Sequence, residues 1–249
     1  TKLRKKTFKA IDLFSRFMQE RKDTGRVYLQ NVDHANTHSP FKEDIAPIKM
    51  SNLCCEIDFP TVPLTDINDE LGRIALCTLS AINWGNIKQP ADFEKACTLA
   101  VRGLDALLSY QNYPVRAAEL ATKEFRPLGV GIINFAYFLA KHDVSYSDPK
   151  ALALVDEYAE AWSYYLIKAS VQLAKEKGAC PLFDAEKYLS GTFARRLPKN
   201  VRNAISKYGL RNSHLLSIAP TGTITLAFAD NASNGIEPAF SWVYNRKKR

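Results

Sequence analysis

Apolar positions along the chain alternate between helical spacing and short continuous runs. In residues 7–22, Phe8, Ile11, Phe14, Phe17 and Met18 recur at three- and four-residue intervals, which predicts an amphipathic helix closed by Gly25. Val27-Tyr28-Leu29 reads as a strand, and the polar, turn-rich stretch 33–47 as a surface loop. Residues 51–59 read as extended. Residues 60–72, with two prolines, read as an irregular connection, and the apolar run 73–84 as a strand or a buried helix. Asp92 to Tyr110 has a helical pattern with Phe93, Ala96, Leu99, Ala100, Leu104, Leu107 and Leu108 on one side, limited by Pro114. Residues 129–133 predict a buried turn or strand feeding a short helix to Lys141. The longest helical pattern, 149–177, opens on Pro149 and closes on Gly178, with Tyr158, Trp162 and Tyr165 as core aromatics. A shorter helix, 199–208, precedes an apolar strand, 213–219, that runs into "PTGT". The closing stretch "FSWVYNRKKR" begins another strand and stops, as a piece of a longer protein would.

Strands alternating with helices predict an α/β architecture. The length, 249 residues, fits one large domain or two small ones, and 46% apolar with 24% charged residues fits a globular protein. No internal repeat or low-complexity segment is present. The most apolar run, Gly129 to Ala140, is too short to span a bilayer, and no charged-then-apolar leader opens the chain. Five cysteines, with only Cys54 and Cys55 close together, do not form a disulfide framework, so a reducing, cytoplasmic setting is expected. The net charge of +8 favours polyanionic partners such as nucleotides. Part of it sits in Lys2 to Lys6 and Arg246 to Arg249, solvated runs whose alternative reading is a basic nucleic-acid-binding module.

Three stretches carry candidate chemistry. In "SNLCCEI", Ser51 to Ile57, an extended backbone turns Asn52, Cys54 and Glu56 to one face and Leu53, Cys55 and Ile57 to the other. An amide that holds a hydroxyl, a carboxylate that takes a proton and a thiol between them form a reaction triad. The same pattern also describes a half-buried strand whose cysteines are small hydrophobes. In "SIAPTGTI", backbone N–H groups and threonine hydroxyls after an apolar strand can cradle phosphate, most of all if a helix begins there; a simple turn fits as well. His34 and His38 stand at i, i+4 without the glutamate of a zinc helix and within an expected loop, so no metal site is expected there. Cys77, Cys97 and Cys180 read as buried thiols, and no Cys/His set has zinc-ligand spacing.

The runs "VYLQNVDHANTHSPF", "SNLCCEI", "LCTLSAINWG", "GVGIINFAYFLA", "KEKGACPLF", "GLRNSHLLSIAPTGTI" and "NGIEPAF", in this order, resemble the large catalytic (alpha) subunit of ribonucleotide reductase. That resemblance implies a ten-stranded α/β barrel with a radical cysteine on an inner loop, of which residues 1–249 are the central and C-terminal part. It implies that Cys54 becomes a thiyl radical and abstracts the 3′ hydrogen of the ribose. Asn52 and Glu56 would hold the ribose hydroxyls, Glu56 as general base, and Cys77 would be one of two cysteines that form a disulfide as the 2′ carbon is reduced. Substrate contacts would come from Ser51, Asn52, Leu53, Cys54, Cys55 and Glu56, and phosphate contacts from Pro220, Thr221, Gly222, Thr223 and Ile224.

The implied reaction is that of a ribonucleoside-diphosphate reductase. "NLCCE" and "LCTLSAINWG" resemble class I, whose radical comes from a metal-containing small (beta) subunit; "IAPTGTI" is also typical of the adenosylcobalamin-dependent class II. Thioredoxin or glutaredoxin would serve as reductant, the full-length protein would be a homodimer, and nucleotide effectors would bind outside this chain. The regulatory domain, the cysteine that pairs with Cys77 and the radical-relay tyrosines are not in this sequence, which implies that the isolated chain is inactive.

Overall fold

A computed structural model of the chain describes residues 5–41, 43–44, 46–227, 233–239, 241, 243 and 245. The expected terminal strand and both basic runs fall largely outside these residues. The chain forms two compact units, Thr1–Asn31 and Val32–Arg249. In the first, helix α1 (Ala10–Thr24) ends where Gly25 turns left-handed at φ 64° and donates its N–H to Arg21 O. The helix forms as expected, but none of its residues is buried, and Phe8, Ile11, Phe14 and Met18 all face solvent. Val27 to Leu29 form no strand.

The second unit opens with helix α2 (Val32–His38), where the polar composition predicted a loop. Buried Asn36 explains the difference. Its amide nitrogen donates to Val32 O (3.0 Å) and Ile48 O (2.9 Å), and its oxygen accepts from Ile48 N (2.8 Å). A contact to a segment twelve residues away thus fixes a turn that local propensity does not.

Strand β1 (Leu79–Asn83) and strand β2 (Gly129–Ile133) pair in parallel, Leu79 opposite Gly129 and Asn83 opposite Ile133. Between them run helix α3 (Phe93–Tyr110) and helix α4 (Arg116–Phe125). The 213–219 segment lies along the other edge of β2: Leu128 N donates to His214 O (2.9 Å), Val130 N to Leu215 O (2.8 Å) and Ser217 N to Val130 O (3.4 Å). This ribbon makes a single parallel bridge, Val130 to Leu216, rather than the full strand expected. A Cβ on Gly131 would stand 2.6 Å from Ser217 O, so the close approach of the ribbon requires glycine there.

Helix α5 (Phe135–Lys141) follows β2, and helix α6 (Pro149–Lys177) packs along α3. Asp148 caps α6 by accepting from Lys150 N, and the helix stops at Gly178. Short helices α7 (Ala185–Leu189) and α8 (Thr192–Arg195), then α9 (Lys199–Tyr208) and α10 (Gly222–Leu226), complete the unit. Fully buried Trp84 anchors the core, edge-on to Phe93 (5.3 Å), Phe138 (5.3 Å) and Trp162 (6.0 Å). The buried face of α3 is Phe93, Cys97, Val101, Leu104 and Leu108, so Leu99 and Leu107 point outward, contrary to the expected stripe. Cys97 is buried as expected, with its thiol pushed up to about 12 by burial. No helix among the described residues is long and apolar enough to cross a membrane.

A second, smaller apolar cluster joins Phe41, Ala46, Phe59, Ala121 and Phe125, with Ile57 and Ala75 against it. His214 inserts between Phe59 (5.1 Å) and Phe41 (5.9 Å), its Nδ1 beside Ser213 Oγ at 2.8 Å and its Nε2 sealed without a partner among the described residues. Burial lowers its pKa to about 4, which favours the neutral ring at pH 7. A base whose pKa is lower folded than unfolded contributes stability fully present above about 6.5 and lost as pH falls towards 4. Urea unfolding should therefore show a loss on the order of 2 kcal/mol between pH 7 and 5. His214→Leu should flatten that slope; an unchanged slope in the variant would assign it to other groups.

Candidate active site

Asparagine competes readily for its own backbone, and Asn52 does so here. Its Oδ1 accepts from Glu56 N and Ile57 N, both at 3.1 Å, while Cys55 N donates to Asn52 O (3.0 Å) and Ser51 Oγ to Ile57 O (2.9 Å). These bonds fold 51–57 into a closed turn with Cys55 left-handed at φ 58°. The expected extended backbone is absent, and with it the alternation that set Cys54 and Cys55 on opposite faces. Both thiols are exposed, as is Leu53 at the tip.

The turn still gathers the predicted groups. Asn52 Nδ2 reaches Cys77 Sγ at 3.8 Å, across 25 positions of sequence. The Cys77 thiol is pushed up by burial first, then by the charge of Glu56 and by Cys54, with the Asn52 hydrogen bond opposing. Asn52, Cys54, Glu56 and Cys77 therefore share one electrostatic neighbourhood. Cys77 is exposed, against the expectation of a buried thiol, whereas Cys180 is buried as expected. The segment before Cys77 is fixed by Arg73, whose guanidinium grips Glu124 at 2.6 and 2.8 Å and whose backbone pairs with Val62. A cleft of about 570 Å³ opens beside this site, walled by Met50, Asn52, Ile57, Phe59, Ala75 and Cys77.

One oxygen of Glu56, Oε2, is sealed from solvent and has no hydrogen-bond partner among the described residues. Such an acceptor is satisfied only by a donor from outside, as a substrate hydroxyl would be. The backbone oxygen of Glu56 accepts from Ser217 Oγ at 3.3 Å, which ties the turn to the ribbon beside β2. Sequence reasoning missed Ser217 because it reads as one position of an apolar strand.

Three residues beyond Ser217 the ribbon reaches Pro220, and α10 begins at Gly222, a helix start of the kind expected to favour a phosphate cradle. Thr221 is left-handed at φ 54°, its Oγ1 bonded to Pro220 O (2.8 Å) and beside Thr225 Oγ1 (3.2 Å). Pro220, Gly222, Thr223 and Ile224 are exposed. The first N–H groups of α10 have no acceptor within the helix. His34 and His38 lie on α2, and no group of three or more His, Cys, Asp or Glu among the described residues is placed to hold a metal ion.

Residues 1–249 match the family described as "Ribonucleotide reductase, barrel domain". The chain belongs to that family. It is 50% identical over 252 residues to the "Ribonucleoside-diphosphate reductase subunit alpha" of Buchnera aphidicola subsp. Acyrthosiphon pisum (strain APS), covering 95% of this chain and 33% of the relative. It is also 50% identical over 257 residues to the "Ribonucleoside-diphosphate reductase 1 subunit alpha" of Escherichia coli (strain K12), covering 97% and 34%. The solved Actinobacillus ureae class Id ribonucleotide reductase alpha subunit superposes with a TM-score of 0.72 at 23% identity, over 92% of this chain and 39% of that one. That likeness is one of fold. The chain spans about a third of the length of these curated relatives.

Proposed function

We propose that this barrel piece carries the ribose-reducing site of a class I ribonucleoside-diphosphate reductase. The observation that carries this reading is the convergence of Asn52, Cys54, Glu56 and Cys77 on one closed turn and its neighbouring segment. Cys54, as a thiyl radical, removes the 3′ hydrogen of the ribose and gives it back to the 3′ carbon at the end of the cycle, which restores the thiyl radical. Glu56 takes the proton of the ribose hydroxyl that its unpartnered oxygen accepts, and Asn52 orients the turn and a second hydroxyl. The 2′ hydroxyl leaves as water. Cys77 and a cysteine outside this chain supply two electrons and two protons and become a disulfide. Ser51, Leu53 and Cys55 border the sugar, and Pro220 to Ile224 bind the diphosphate.

The radical comes from a metal-containing small subunit, and thioredoxin or glutaredoxin restores the thiols. The full-length parent is a cytoplasmic homodimer. Residues 1–249 are the central and C-terminal part of its catalytic barrel and are inactive alone, since the family resemblance places the thiol that pairs with Cys77 elsewhere in the parent. The names of the relatives favour this reading over the cobalamin-dependent one.

The test is an assay of the full-length parent with its small subunit. Turnover should need that subunit and no cobalamin, and Glu56→Gln should lower kcat by about 10²- to 10³-fold. Activity that requires cobalamin and no second subunit would sink the class I assignment. Near-normal turnover by Glu56→Gln would remove its role as base.

A further inference from the structure

The run "NGIEPAF" has no role in the chemistry above, yet part of it lies against the proposed phosphate loop. Gly235 is buried and left-handed at φ 47°. A Cβ placed there would stand 3.0 Å from Ala219 O, 3.4 Å from Thr221 Oγ1 and 3.5 Å from Pro220 O. The backbone of this turn is thus seated against three consecutive residues of the loop, where a Cβ would be tight against Ala219 O and the left-handed φ would strain any other residue.

The loop needs such a seat. Thr221 is β-branched and left-handed, a conformation that persists only where the surroundings impose it. On one side the loop is tied through Ser217 to the carbonyl of Glu56. On the other it meets Gly235. The turn is itself anchored: Glu237 N donates to Asn234 O (2.7 Å), Phe135 N to Gly235 O (3.4 Å) and the Tyr146 hydroxyl to Ile236 O. The ring of Tyr146 lies edge-on to Phe135 at 5.7 Å. Burial, and then the charge of Glu237, push the Tyr146 pKa up to about 12, so the phenol remains a donor at neutral pH.

We propose that the Ser233–Glu237 turn is a brace that positions the phosphate loop, with Gly235 as its contact point and Tyr146 as its anchor. The proposal rests on the reading of Pro220 to Ile224 as the diphosphate site. Gly235 and Tyr146 are positioning residues: they touch no substrate, and they hold the backbone of Ala219, Pro220 and Thr221, from which the loop continues into Gly222 and Thr223.

The experiment uses the full-length parent with its small subunit, measuring kcat, KM for the ribonucleoside diphosphate and inhibition by inorganic pyrophosphate. Gly235→Ala should raise KM and the pyrophosphate inhibition constant about tenfold while kcat changes less than about twofold. Tyr146→Phe keeps the ring and loses the donor, so it should raise both constants about threefold without lowering the melting temperature by more than a few degrees. If Gly235→Ala fails to fold, Tyr146→Phe decides alone. Folded variants with unchanged KM and pyrophosphate inhibition overturn the brace. Pyrophosphate that does not compete in the unsubstituted enzyme, together with normal KM in Thr223→Val, removes the phosphate-site reading itself and the brace with it.

Discussion

In the full-length parent, Cys54→Ala should abolish the proposed ribonucleotide reduction and Cys55→Ala should leave most of it. The expected loss for Cys54→Ala exceeds about 10³-fold, because alanine has no S–H bond to carry the radical. Exposure does not separate the two thiols, since both reach solvent. Their surroundings do: Cys54 is among the groups that act on the Cys77 thiol, together with Glu56 and Asn52. Cys55 holds the left-handed corner of the turn, and alanine carries the same Cβ there, so the backbone strain is equal before and after substitution. Turnover, read alongside the melting temperature of each variant, checks the pair. Equal loss in both variants would mean that Cys55 also takes part in the radical chemistry or its delivery.

Spacing could order these two cysteines only through an extended backbone, and the closed turn removes that argument, which leaves the family resemblance to single out Cys54. What closes it is Asn52, whose side-chain oxygen takes two backbone N–H groups that strand pairing would otherwise use. Elements fixed by local signals were legible: α6 between Asp148 with Pro149 and Gly178, α9, and the passage from β2 into α5. Elements fixed by distant partners were not. Helix α2 depends on the bonds from Asn36 to Ile48, and the 213–219 ribbon pairs with β2 at one bridge only. The face of α3 was misread because Leu99 and Leu107 satisfy an apolar count but not the period that runs from Phe93 to Leu108. At the site, motif resemblance singled out Asn52, Cys54, Glu56 and Cys77. Spacing alone held no sign that residues 52 and 77 would meet, and none that Ser217 would reach Glu56.

The largest loss of stability is expected from Asp105→Leu. Asp105 lies on α3 with a side chain only 1% exposed, a setting that strongly disfavours a lone carboxylate. Burial alone would raise its pKa. The hydrogen bond and charge of Arg126, the charge of Arg211 and the hydrogen bond of Asn212 together outweigh burial and hold it below the usual value. Arg126 Nε donates to Asp105 Oδ1 at 2.8 Å and its Nη2 to Asp105 O at 2.7 Å, while Asn212 Nδ2 bridges Asp105 Oδ1 and Arg126 O, each at 3.1 Å. Asp105→Leu strands the Arg126 guanidinium in the interior and should cost about 3–5 kcal/mol in urea unfolding. Arg126→Met should cost less, because Arg211 and Lys177 remain at 3.3 and 3.6 Å from the carboxylate. The double variant should lose less than the sum, since an apolar pair strands no charge. A depressed carboxylate contributes stability that is present above about pH 3.8 and lost below it, so this step falls beneath the one set by His214. The hub also has a functional reach. Asn212 opens the ribbon that carries Ser217 to the Glu56 carbonyl, and Arg126 stands three residues before β2, the strand that ribbon lies against. Loosening Asp105 should therefore lower turnover in the parent beyond what the fraction unfolded explains. A cost below about 1 kcal/mol for Asp105→Leu would mean that the pair is replaceable by packing, as some buried ion pairs are.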